Sequence, residues 1–96
     1  MFIVVAYDVN TETPAGEKRL RWIAKKCMKY GQRVQNSVFE CMINPSDYLV
    51  LKHELSEIMD KDADSLRIYR LGSKIDGKVE QLGRQKHLPI NGVMLI

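Results

Sequence analysis

Cysteine and histidine are scarce in this chain, with two of each in 96 residues. Cys27 and Cys41 stand too far apart for a CxxC redox or zinc motif, so they read as two buried thiols in a reducing cytoplasm. His53 and His87 lie in different segments without metal-ligand spacing and read as surface residues. No stretch approaches the roughly 18–20 apolar residues of a membrane span. The apolar N-terminal run lacks a basic leader and a small-residue cleavage site, which argues against a secretory signal. Neither a P-loop nor a GxGxxG turn is present, and no Ser/His/Asp order stands out. Repeats and low-complexity tracts are absent. These absences weigh against thiol, nucleotide-binding and serine-nucleophile chemistries.

What remains is an ordinary globular composition, 45% hydrophobic and 28% charged, with a net charge of +3 that is unevenly spread. Lys18, Arg19, Arg21, Lys25, Lys26, Lys29 and Arg33 follow one another without an intervening acid. Glu54, Glu57, Asp60, Asp62 and Asp64 face a single lysine in their stretch. A one-sided basic face points to a polyanionic partner, against the plainer reading of a solvated helix face. Glu54 and Glu57 share a helix face with no evident basic partner and read as solvated.

The length suits one domain, residues 1–96, with a core to about 71 and a tail from about 72. Phe2 to Tyr7 is short, apolar and β-branched, the pattern of a buried strand. Thr13 and Pro14 open a helix. Leu20, Ile23, Ala24, Cys27 and Met28 give it an apolar stripe to about Tyr30, and Gly31 stops it. Val34 begins a strand, Asn36-Ser37 breaks it, and Val38 to Ile43 resumes with Phe39, Cys41 and Ile43 on one face and Glu40 on the other. Asn44, Pro45 and Asp47 start a second helix with Tyr48, Leu51, Leu55, Ile58 and Met59 as its stripe. Asp60 to Asp64 is a loop and Ser65 to Leu71 a strand. The order βαββαβ is the α+β ferredoxin-like sandwich, both helices on one face of an antiparallel sheet. Asp76-Gly77 reads as a turn and Val79 to Leu82 as an additional short strand.

The first strand ends on Asp8. A carboxylate at a strand end is rigidly aimed and suits Mg²⁺ or Mn²⁺, which take hard oxygen ligands and assist phosphodiester cleavage. One carboxylate is a poor site, and neither Glu12 nor Glu17 is obviously directed at it. A two-fold dimer supplies a second Asp8. The plainer alternative is that Asp8 only hydrogen-bonds the Val9-Asn10 backbone.

Three features together resemble a known family: the strand ending Tyr7-Asp8-Val9, the basic helix with Arg19 and Arg21, and the run RVQNSVFE from Arg33 to Glu40. They are similar to the number-two protein family of CRISPR systems, small nucleases that partner the integrase in spacer acquisition. The resemblance spans nearly the whole chain and is strong as far as about Leu71. It implies a ferredoxin-like homodimer whose extra C-terminal strand crosses to the partner's sheet, and a divalent ion (Mg²⁺, with Mn²⁺ as substitute) between two copies of Asp8. It further implies a prokaryotic cytoplasmic endonuclease acting on double-stranded DNA or single-stranded RNA. The alternative is a non-catalytic DNA-binding scaffold that bridges integrase subunits. Position 36 is Asn where some relatives carry an aromatic. Asp8 and Tyr7 become the candidate catalytic residues, although an unperturbed phenol with a pKa of about 10 is a poor base and packing with the hydroxyl at the rim suits Tyr7 better. Arg19, Arg21 and Arg33 are candidates for bidentate phosphate contacts. Ser37 either donates to a phosphate or makes the turn. Phe39 stacks on a base, shapes the dimer cleft, or is a core aromatic. A recognition-motif type of RNA-binding module fits less well, because the Ser65–Leu71 strand lacks paired aromatics and glycines.

Overall fold

The computed structural model describes residues 1–73 and 77–83. Six elements follow in order: β1 (Phe2–Asp8), α1 (Pro14–Met28), β2 (Gly31–Gln35), β3 (Val38–Met42), α2 (Pro45–Ile58) and β4 (Ser65–Gly72). The four strands form one antiparallel sheet in the order β2-β3-β1-β4. This is the ferredoxin-like arrangement, with β1 in the interior and Asp8 at its end.

Both helices begin as their cap residues dictate. Thr13 Oγ1 accepts from the Gly16 amide at 3.1 Å, and Pro14 follows at the first helical position. Asn44 Oδ1 accepts from the Asp47 amide at 2.7 Å, with Pro45 next in line. Gly16 is needed for space: a Cβ there would overlap the Asn10 carbonyl oxygen. The helix start is thereby pressed onto the loop that leaves β1.

The core lies between the helices and one face of the sheet. Ile3, Val5 and Tyr7 of β1 meet Phe39 and Cys41 of β3, Ile23, Ala24 and Cys27 of α1, and Leu51 and Leu55 of α2. Fully burying a leucine of this kind contributes about 1.5–3 kcal/mol. Both thiols are buried and free, and burial pushes each up to about 12, which makes them packing residues rather than nucleophiles.

Three expectations need correction. Met28 is 60% exposed, because one residue past Cys27 turns it by about 100° onto the flank of the stripe. Glu54 is not merely solvated: its carboxylate meets Lys26 Nζ at 2.7 Å and ties α2 to α1. His53, exposed as expected, lies 3.6 Å from Glu57 one turn further along the same helix. Val79–Leu82 carries no strand, and Leu82 is 91% exposed; extended chain needs a ladder partner, and none pairs with it among the described residues. Asp76, His87 and the chain from 84 to 96, where the tail expected to cross to a partner's sheet continues, lie outside the described residues.

Candidate metal and nucleic-acid site

Side chains alternate along β1, so Ile3, Val5 and Tyr7 face the helices while Val4, Ala6 and Asp8 face away. Asp8 therefore lies on the sheet face that neither helix covers. Its side chain is exposed and makes no hydrogen bond or ion pair among the described residues. The turn-forming role is excluded, since the Asn10 amide donates to Asp64 Oδ1 at 3.1 Å instead.

Asp64, a loop residue to which the sequence assigned no role, organises this end of the molecule. Its carboxylate accepts from Asn10 N, from Asp60 N at 2.9 Å, and from Arg19 through Nε at 2.7 Å and Nη2 at 3.2 Å. The Arg19 fork and the two amides hold the Asp64 carboxyl down to about 2. Arg19 thus spends its planar fork on locking α1 and the α2–β4 loop to the strand that carries Asp8.

The other expected residues lie on the helix side of the sheet, at the β2–β3 turn or on α1. Tyr7 is on the helix side, 5% exposed, with its hydroxyl buried and unpartnered rather than at the rim. Burial raises its pKa, opposed by the Arg33 charge. A proton acceptor with a raised pKa and no access to solvent is ill suited to act as a base. Phe39 is fully buried and stacks on Tyr7 at 6.2 Å, so it is the core aromatic. The Arg33 guanidinium lies 5.5 Å from the Phe39 ring centroid, its Nε buried without a partner. Ser37 gives its carbonyl to the Tyr7 amide at 3.0 Å, fixing the β2–β3 turn beside the end of β1. Arg21 is exposed on α1.

A cation on Asp8's own face is Arg67, which sequence reasoning missed. Asp8 pairs with Ser65 and Ala6 with Arg67, which sets Arg67 on the adjacent strand, one pleat from the acid. It is exposed and lies 5.8 Å over the ring of Tyr69, itself 46% exposed. The signal was available in SLRIYRL: Leu66 and Ile68 turn toward the core, so Ser65, Arg67 and Tyr69 must face the other way. On the same face Gln32 and Glu40 are register partners and both are buried. Glu40 Oε1 and both amide atoms of Gln32 lack partners, and burial pushes the Glu40 carboxyl up.

Beside Asp8 opens a shallow depression of about 530 Å³ lined by Asp8, Asn10, Thr11, Glu12 and residues 62–65. Its lining holds acids and no base, so a phosphodiester would be repelled unless a cation intervened. Among the described residues no three acids, histidines or cysteines come together to hold an ion. Asp8, at the strand end, and Glu12 and Asp62, on the flanking loops, are free carboxylates here, and they do not gather into a three-ligand set among the described residues.

Residues 1–79 match the family model described as CRISPR associated protein Cas2. The chain belongs to the Cas2 family. It is 50% identical over 96 residues to a CRISPR-associated endoribonuclease Cas2 of Chlorobaculum tepidum, covering all of both chains. It is 45% identical over 95 residues to a CRISPR-associated endonuclease Cas2 of Halalkalibacterium halodurans, covering 99% of each. Among solved structures, Streptococcus pyogenes Cas2 at pH 6.5 superposes with a TM-score of 0.77 at 57% identity, over 86% of this chain and 100% of that one. A hypothetical protein from Thermus thermophilus gives 0.72 at 33% identity, over 92% and 95%. No helix among the described residues is long and apolar enough to cross a membrane.

Proposed function

We propose that this Cas2-family chain is a metal-dependent endonuclease of CRISPR adaptation, working as a homodimer in the cytoplasm of a prokaryote. One observation carries the reading: Asp8 is an exposed carboxylate at the end of an interior strand, without a partner, in a hollow that only a cation makes hospitable to phosphate. Since no three ligands gather in one chain among the described residues, the reading calls for a second copy docked against the helix-free sheet face, bringing its own Asp8. Exposed Met42 and Tyr69 give that face apolar surface for such a contact.

The donor type fits a hard ion such as Mg²⁺ or Mn²⁺. When bound, the ion supplies charge neutralisation and Lewis acidity at the phosphoryl group. The chain's own residues do the rest. Asp8 orients the site, and Asp64 with Arg19 fixes the loop beside it. Arg67 takes a phosphate on the same face, and Arg21 takes others along α1. Tyr7, Phe39 and Arg33 stiffen the strand end from behind. The relatives named as endoribonuclease and endonuclease favour RNA or DNA cleavage here.

The test is a cleavage assay on single-stranded RNA and double-stranded DNA with Mg²⁺ and with EDTA. Wild type cleaves at least one substrate with Mg²⁺ only, and Asp8→Ala reduces the rate at least about 100-fold without changing the dimer mass. Cleavage that survives Asp8→Ala contradicts the reading. A second reading, a DNA-binding scaffold bridging integrase subunits, is favoured by the exposed basic residues of α1, which stand on the far side of the sheet from Asp8. Spacer acquisition in cells carrying Asp8→Ala separates the two: uptake persists if scaffolding suffices and stops if cleavage is required.

A further inference from the structure

The apolar stripe of α1 (Leu20, Ile23, Ala24 and Cys27) packs toward the sheet. At 100° per residue, Lys18, Trp22, Lys25 and Lys29 fall on the opposite side, with Arg21 at its margin. All five are exposed, and Trp22, the chain's single tryptophan, is 41% exposed. The acid of this helix, Glu17, sits in its first turn, upstream of the stripe. None of the four cations comes within ion-pair distance of an acid among the described residues, whereas Arg19 and Lys26 on the helix's inner flanks are both paired. Lys25 Nζ lies 5.3 Å from the Trp22 ring centroid. An exposed indole normally signals an interface, because its area rewards burial and its ring makes a rigid stacking surface. Four cations around it, none in an ion pair among the described residues, select the partner: a polyanion that also presents flat aromatic faces.

We infer that the outer face of α1 is a binding site for single-stranded nucleic acid, in which Trp22 stacks on an unpaired base while Lys18, Arg21, Lys25 and Lys29 track the flanking phosphates. A duplex keeps its bases stacked inside and offers the cations only its backbone. An unpaired strand satisfies both the charges and the ring. The inference rests on the nucleic-acid substrate read from the Asp8 site and names its strandedness. It places the anchoring contact across the sheet from Asp8, so a bound strand reaches the acid by passing around the edge of the molecule.

The lone tryptophan makes the test direct. The Asp8→Asn chain, with Mg²⁺, is titrated with oligo(dT) and oligo(rU) of about 12 nucleotides, within the usual span for a small single-strand binder, and with a blunt duplex of equal length. The inference expects both single strands to quench the fluorescence, with log Kobs falling against log salt at a slope of about −3 for four phosphates. It expects little quenching by duplex. Comparing oligo(dT) with oligo(rU) reveals any ribose preference. By fluorescence anisotropy of labelled oligonucleotide, Trp22→Ala binds about 5- to 100-fold more weakly, and Trp22→Phe, which keeps an aromatic face, recovers most of the loss. Equal binding by Trp22→Ala, or equal quenching by duplex, overturns the inference. So does a signal that changes with protein concentration but not with oligonucleotide, which would assign the ring to a protein contact. Quenching without any wild-type cleavage sinks the nuclease reading alone, whereas cleavage with intact binding by Trp22→Ala sinks this inference alone.

Discussion

Asp64 shows how one side chain is turned from surface charge into a structural clamp. Four donors from three segments converge on it, and its side chain is 1% exposed. Its carboxyl is held at about 2 when folded against an ordinary value of 3.8. The contribution to stability is therefore complete above about pH 4 and is lost as pH falls through 2. Melting curves from pH 7 to pH 2 should show a steep fall in Tm across that window for wild type. Arg19→Met should melt about 5–10 °C lower at pH 7 and lose less on acidification, because the shift it removes is the source of the slope. Parallel curves would show that the pair contributes nothing to acid sensitivity. Arg19 is also where motif reasoning and geometry part. An arginine in a basic run suggests phosphate binding, and only the fold reveals a carboxylate 45 residues away that occupies its fork.

Among the elements, the hairpin β2–β3 leaves no room at its first residue. Gly31 sits against the β3 backbone so closely that a Cβ would overlap the Glu40 carbonyl oxygen. The sequence suggested a helix stop at this residue; the structure adds that it opens β2 and must let two backbones meet. Gly31→Ala should lower Tm by more than about 10 °C, since no flexible side chain is there to yield. Gln35→Ala, at the exposed end of the same strand, should change stability by no more than about 0.5 kcal/mol. Thermal melts of the two variants check this, and an unaltered Tm for Gly31→Ala would refute the tight approach. The order of the elements and both helix caps were legible beforehand, because caps and hydrophobic periodicity are local properties. Strand faces were legible only in part. Phe39 and Cys41 were correctly grouped, but alternation was not carried into β4, and so Arg67 and Tyr69 went unnoticed. The burial of Glu40 was not legible at all: alternation gives the direction of a side chain and not what covers it.

At the scale of the whole molecule, the two layers divide the work. The helix-free face carries Asp8, Arg67 and Tyr69, while the outer side of α1 carries four cations around Trp22. Between them the Tyr7–Phe39–Arg33 stack and the Arg19–Asp64 clamp hold the end of β1 rigid. Several residues expected to touch nucleic acid thus act as the framework around Asp8, an acid at the strand end without a partner among the described residues. A lone carboxylate binds Mg²⁺ or Mn²⁺ weakly, so the catalytic account stands on two chains sharing one ion. Titrating Mn²⁺ into the protein by calorimetry, with the dimer mass followed by sedimentation, measures this without relying on cleavage. The account predicts one ion per two chains, lost in Asp8→Asn while the dimer persists; one ion per chain, or binding retained by Asp8→Asn, would contradict it.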